Sequence, residues 1–242
     1  MLIKFFRPEH VQMFLNGDLY FCNTGYFIDL EKKHGNKGIG DKHEGSFFRP
    51  FDPATQEIRI GLEGGQMHKM NVKRAFFTER YVETRQFQLT CFTGIAEEED
   101  MEQVDENTKK IKDEIIAHLI KEFPGRIPVL ITDEEAFFDK LDNALKEKNI
   151  HACHGRVKYF DEHVESPLKE EDYRKDITQA FFYKKNFFKS QKEYRIITSH
   201  PVEGDSLTVN LGDLNECVIS LENIDNLKHL TLQRVAKEEA GA

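Results

Sequence analysis

The 242-residue chain has no tryptophan, only four cysteines and seven prolines, and no excess of positive charge. Each shortage removes a class of protein. Cys22, Cys91, Cys153 and Cys217 are scattered with no Cys-x-x-Cys pair, so neither a disulfide framework nor a zinc knuckle is expected. No apolar run approaches the roughly 18 residues that a membrane span needs. The opening MLIKFFRPEH lacks the apolar stretch and small-residue cleavage site of a signal peptide, so a cytoplasmic protein with no membrane partner is expected. Lys and Arg number 34 against 43 Asp and Glu, a net charge of -9. A protein that coats duplex DNA through its phosphates carries the opposite sign, which excludes generic nucleic-acid packaging.

What is present argues for a folded core. Twenty Phe and seven Tyr are incompatible with the low hydrophobicity of disordered chains, and the length suits one domain or two small ones. Leu2–Phe6 reads as a strand. Pro8 opens a helix at its first turn, Val11, Phe14 and Leu15 supply an apolar face, and Gly17 closes it. Leu19–Cys22 returns as a strand. From Asn23 to Ser46 no hydrophobic period is visible, and the glycine-rich HGNKGIGDKHEGS predicts a long loop. Residues 57–62 and 67–74 read as strands about a Glu63-Gly64-Gly65 turn, and Phe87–Ile95 as a buried strand.

A helix is expected from about Met101 to Phe123, with Ile111, Ile115 and Leu119 in its stripe. Strand Ile127–Ile131 follows, then a helix to about Lys148 that Thr132 caps with Glu135 three residues on. Later strands are expected at Ile150–Phe160, Glu193–Thr198, Leu207–Leu211 and Cys217–Leu221, with a helix over Asp176–Tyr183. The sum is an α+β fold with a mixed, mainly antiparallel sheet core. Residues 1–96 and 149–235 form that single core, 97–148 is a helical excursion from it, and 236–242 a frayed tail.

Three places could carry chemistry. Arg7 stands between a strand and a helix, where a guanidinium can grip a phosphate; pairing with Glu9 is the competing reading. Asp41, Glu44, His34 and His43 lie in the glycine-rich tract, where oxygens suit a hard cation and imidazoles a transition metal, against an ordinary solvated loop. The stretch Phe181–Thr198 combines aromatic platforms with cations, among them Tyr183, Lys189 and Arg195, around the lone carboxylate Glu193. Lysines flanking Glu193 would keep it ionised. A carboxylate beside an anomeric carbon can stabilise an oxocarbenium-like transition state, including that of nicotinamide–ribose cleavage in NAD. A further reading gathers Asp29, Asp41, Glu44 and Glu193 into a metal-dependent nuclease.

The Leu2–Phe6 strand with Arg7, and Gln191-Lys192-Glu193 leading into a strand, resemble the outer motifs of the ADP-ribosyltransferase superfamily. That resemblance implies an ADP-ribosyltransferase-like fold, with Arg7 holding NAD, Gln191 helping to choose the acceptor and Glu193 stabilising the developing cation. Arg195, Lys189 and Tyr183 would complete the cofactor site. Thr90, Thr93 and Tyr81 are candidates for the superfamily's middle motif. The order LYFCNTGYFID, GIGDKHEG, QLTCFTG and FFKSQKEYRIIT also resembles a prokaryotic and phage family found among abortive-infection and defence genes, in whose last motif Gln191 replaces a Glu. It implies a role in bacterium–phage conflict. The expectation is therefore a protein that binds NAD or a nucleotide and transfers ADP-ribose to a protein or RNA target. The alternative is a non-enzymatic defence or counter-defence factor that binds a protein or sequesters a nucleotide signal.

Overall fold

The computed structural model describes residues 1–34, 40–161 and 167–235. The chain opens with β1 (Leu2–Phe6), α1 (Pro8–Leu15), β2 (Asp18–Asn23) and α2 (Thr24–His34). Next come β3 (Phe47–Pro50), β4 (Arg59–Ile60), β5 (His68–Lys69), β6 (Phe76–Glu79) and β7 (Gln88–Gly94). The middle holds α3 (Glu97–Asp100), β8 (Met101–Gln103), β9 (Thr108–Ile111), α4 (Asp113–Glu122), β10 (Ile127–Ile131) and α5 (Glu134–Glu147). The remainder is β11 (Ala152–Arg156), β12 (Lys158–Phe160), α6 (Glu170–Lys175), β13 (Tyr183–Lys185), β14 (Glu193–Thr198), β15 (Ser206–Asn210), β16 (Val218–Ser220) and β17 (Thr231–Gln233).

Eight strands make one sheet in the order β11-β14-β7-β1-β10-β16, with β2 and β15 branching from β7. All of its pairings are antiparallel, and the fold is α+β. Alternation decides its two faces. Leu2, Phe92, Val129, Ile196 and Val209 point to one side, where they pack with Phe14 of α1 and Phe137 and Leu141 of α5. The other side carries two separate apolar clusters. Ile3 and Leu130 pack with Ile116 and Leu119 of α4, while Leu89 and Ile197 pack with Phe87 and Phe181. Between those two patches lie polar side chains.

The sheet forks at β7. Its Leu2- and Ile3-facing end pairs with β1, but Gln88 and Leu89 pair with β2. Lys4 fills the fork: its ammonium donates to the Cys91 carbonyl (2.9 Å) and the Thr90 hydroxyl (2.7 Å), and sits 4.7 Å from the Phe92 ring centre. An otherwise unpaired strand carbonyl is thereby satisfied. Burial holds the Lys4 pKa down to about 8.

Several expectations change. Segment 97–148 is no excursion, because β10 pairs along its whole length with β1 in the middle of the sheet. The long helix expected from Met101 is instead the β8–β9 hairpin and α4; the mostly polar residues 102–107 break the apolar period at a turn. α2 replaces the first part of the expected loop: the Asn23 side chain accepts from the Tyr26 amide, and Ile28 is buried. The cap of α5 is Asp133, whose side chain accepts from Ala136 N, one residue after the expected Thr132. Residues 57–62 and 67–74 pair only over the two-residue strands β4 and β5. Everything from Arg59 to Asn71 is exposed there, so no packed face extends the ladder. Residues 51–75 thus form a projecting arm on the β3–β6 stalk. The tail 236–242, Gly35, Gly38 and the side chain of His34 lie outside the described residues. No helix among the described residues is long and apolar enough to cross a membrane.

Candidate functional site

The polar strip between the two apolar clusters is a closed group of charges. The alternation of β14 puts Glu193 and Arg195 on the same face, two residues apart. Arg195 Nε donates to Glu193 Oε2 at 2.6 Å, and Lys184 Nζ of β13 donates to Glu193 Oε1 at 2.6 Å. The two terminal nitrogens of Arg195 grip Glu44 at 2.6 and 3.0 Å, and one also donates to the Phe181 carbonyl at 2.5 Å. Glu44, Lys184, Glu193 and Arg195 are 3%, 4%, 8% and 1% exposed, so the whole group is shut away from solvent. Two anions face two cations.

Glu44 reaches this group because the turn Lys42–Gly45 drops inward. Gly45 has φ +64, and a Cβ there would meet the side chains of Thr84 and Phe181. Glycine is required by both conformation and space. Arg80 Nη1 holds the turn from outside through the Lys42 carbonyl (3.0 Å). The Glu193 amide donates to the Tyr159 hydroxyl at 2.8 Å, and the Cys91 thiol lies 3.7 Å from Glu193 Oε2. Lys184 also sits 4.1 Å from the Phe188 ring centre.

Electrostatics follow from this packing. Burial alone would raise the Glu193 pKa, but Arg195 and Lys184 outweigh it and hold the carboxyl down to about 2. Glu44 is pushed up, because burial outweighs its pairing with Arg195 and Lys184. Burial, reinforced by Glu193, pushes the Cys91 thiol up to about 12, which makes it a neutral and unreactive group at ordinary pH. Each oxygen of Glu193 accepts from a buried cation, Oε1 from Lys184 and Oε2 from Arg195. Nothing in the group is left to face a substrate.

The residues expected to act together do not all meet. Thr93 lies opposite both Glu193 and Ile3, so Arg7 lies four residues beyond the row that holds Glu193. Strand geometry makes that about 13 Å along the sheet and about 10 Å across it. Arg7 is exposed at the start of α1, beside Arg126, whose pKa is lowered by burial and then by Arg7. Tyr183 sits beneath Lys158, 5.5 Å from its ring centre, and Lys189 is exposed on the 186–191 turn. The Gln191 carbonyl accepts from the Thr93 hydroxyl (3.2 Å), and Lys192 follows in left-handed conformation at φ +47. Tyr81 is on the surface, stacked obliquely near Tyr173. Asp29 pairs with Arg85 (2.8 Å) instead of joining Glu193, which leaves the nuclease grouping unassembled. No cluster of three or more His, Cys, Asp and Glu fit to hold a metal occurs among the described residues.

Sequence reasoning named Glu193, Arg195 and Glu44 without seeing that they pair. It held Lys184 only as one cation of the Phe181–Thr198 stretch and missed Cys91, Tyr159 and Lys4. The same-face spacing of Glu193 and Arg195 was available as a signal; the approach of Glu44 from 151 positions away was not. Two surface concavities, of about 370 and 320 Å³, lie elsewhere. One is lined by Glu97, Glu106, Lys109 and Leu232, the other by Phe51, Glu57, Lys69 and Met70 at the root of the arm. Comparison with family models, with curated proteins and with solved structures finds no match for this chain.

Proposed function

We propose that this protein acts by binding a macromolecular partner, not by consuming NAD. The observation that carries the reading is the sealed state of Glu193, whose two oxygens are held by Lys184 and Arg195 at 2.6 Å with less than a tenth of the residue exposed. An oxocarbenium-stabilising carboxylate needs an open face toward the sugar, and this one is a structural brace. Arg7, at the far end of β1, gives it no help in holding a pyrophosphate. The molecule's unspent surface is on the projecting arm. Among the described residues, Ile60, Leu62, Met67 and Met70 are large apolar side chains exposed on the arm, and Phe76, Phe77, Tyr81 and Val82 follow on β6 and just beyond it. Concentrated apolar exposure of this kind marks protein–protein contact. The segment order shared with the defence-associated family supplies the setting, a non-enzymatic factor in bacterium–phage conflict.

The rival reading, an ADP-ribosyltransferase-like fold with NAD as substrate, makes the opposite forecast. Purified protein is incubated with NAD and candidate protein and RNA acceptors, and nicotinamide release is followed. No release above the spontaneous rate is expected. Turnover that Glu193→Gln abolishes in a variant of unchanged circular dichroism would overturn the binding reading.

A further inference from the structure

β11 ends the eight-stranded sheet, and its outer edge is bare. The Val157 amide donates to the Glu193 carbonyl (2.9 Å) and the Ser199 amide to the His151 carbonyl (2.8 Å), so odd-numbered residues of this ladder turn their main chain toward β14. Ala152, His154 and Arg156 therefore turn theirs outward. None of those amides and carbonyls has a partner among the described residues. The register runs unbroken from Ala152 opposite Thr198 to Arg156 opposite Tyr194, so no bulge twists the edge away. No proline or lysine between Asn149 and Val157 guards it. The long side chains lean inward across β14: His154 Nδ1 lies 2.5 Å from the Tyr194 hydroxyl, and Arg156 donates to the Gly94 carbonyl (3.2 Å). We propose that the outer edge of β11 takes an extended peptide segment of a partner protein as a further strand of the sheet. This goes beyond the arm contact, because it adds a second binding surface that stands whether or not the arm binds.

The edge itself specifies its occupant. Main-chain donors and acceptors that recur at every second residue, about 7 Å apart, match an extended polypeptide and neither a nucleic acid nor a small anion. The two faces of the strand add side-chain preferences. A residue paired with exposed His154 lies beside a ring already stacked on Phe138, with 4.3 Å between ring centres, so a flat side chain fits there. The residues on either side of it point to the opposite face. On that face Gly155 offers no side chain, and half-buried Phe182 comes within 3.6 Å of the place a Cβ would take. Aliphatic residues beside Gly155 therefore gain apolar cover from Phe182. The fitting partner segment is aliphatic, flat, aliphatic, in extended conformation.

Fluorescence anisotropy of labelled heptapeptides with the full chain tests this. The probes alternate Val and Thr, with the central Thr replaced by Tyr, Arg or Leu. The Tyr-centred probe is expected to bind with a Kd of about 1–100 μM. N-methylation of alternate amides in one register should weaken it about tenfold or more, and in the other register leave it within about twofold, because only one set faces β11. His154→Pro removes one outward amide and spares the β11–β14 bonds, so the circular dichroism is kept while affinity falls at least about tenfold. His154→Ala keeps that amide and should lose less. Where the proline variant fails to fold, the methylation pattern decides. Failure of all three probes to bind at up to about 500 μM protein overturns the proposal. So does binding that ignores the methylation register or is unchanged in folded His154→Pro. Self-association of the chain through this edge, with no peptide uptake, overturns it as well.

Discussion

The buried brace and the projecting arm are both rich in charge, yet they use it in opposite ways. In the brace, Glu44, Arg195, Glu193 and Lys184 have given up water and depend mainly on one another for their charged hydrogen bonds, with the Phe181 carbonyl as an outside acceptor. On the arm, Arg59 and Lys69 share Glu57 in solvent, where the same pairing contributes little to stability. The difference teaches that an ion pair's importance here is set by what would happen to the survivor. A lysine freed on the arm is simply rehydrated. A carboxylate freed in the brace is stranded between two apolar clusters.

The sharpest way to break the comparison is Arg195→Met. It strands Glu44 and leaves Glu193 with Lys184 alone, and we expect a loss of about 3–5 kcal/mol or failure to fold, read by urea denaturation. The double variant Glu44→Gln/Arg195→Met should recover part of that loss, since the Lys184–Glu193 pair remains and no buried charge is left unpaired. If the single variant were as stable as wild type, the brace would be no brace.

A second effect separates the two regions by pH. The Glu193 pKa is depressed in the fold, so its contribution is present above the unfolded value near 4.5 and disappears as pH falls toward 2. The difference in stability between wild type and Glu193→Gln should therefore shrink by order 3 kcal/mol across that window. Glu44, raised in the fold, opposes this, because its protonation relieves a burial penalty. Lys4 gives a comparable signal at the other end of the scale. Its folded pKa of about 8 lies below the unfolded value of 10.5, so the fold disfavours the ammonium. Stability should rise by order 3 kcal/mol as pH climbs from 8 to 10.5, and Lys4→Met should abolish the rise. The smallest effect belongs to the arm: Arg59→Ala should change the urea midpoint by less than about 0.5 kcal/mol equivalent. A larger change would mean that the arm packs on something.

Much of the sheet could be read directly from residue patterns. β1, β7, β10, β14 and β16 coincide with expected strands because each carries short stretches of Val, Ile, Leu, Phe or Thr, most of them buried on the sheet. α1 was legible through Pro8 and the Phe14 face. The misses have a common cause. α2 has Tyr26, Phe27, Ile28 and Leu30 bunched in its first part, ahead of Glu31, Lys32, Lys33 and His34, so no apolar residue follows Leu30 to sustain a period. The 101–123 pattern joined apolar residues that in fact face one cluster from a hairpin and a helix, Met101 and Ile111 from one and Ile116 and Leu119 from the other. Periodicity records that residues are buried; it does not record which element brings them there.

The candidate site divides in the same way. Glu193 and Arg195 alternate on a strand, so local geometry alone places both on one face, and composition alone makes the chain acidic and rich in phenylalanine. Whether that face opens to a ligand or closes under a turn was beyond any local pattern. Glu44 comes from a distant turn and Lys184 from a three-residue strand, and they meet Arg195 and Glu193 because the surrounding hydrophobic clusters leave that strip as the one place where charges can satisfy each other. Short-range sterics and alternation determined the strands; long-range packing and desolvation, which depend on residues far apart in the chain, decided that the glutamate is a keystone and the arm a surface.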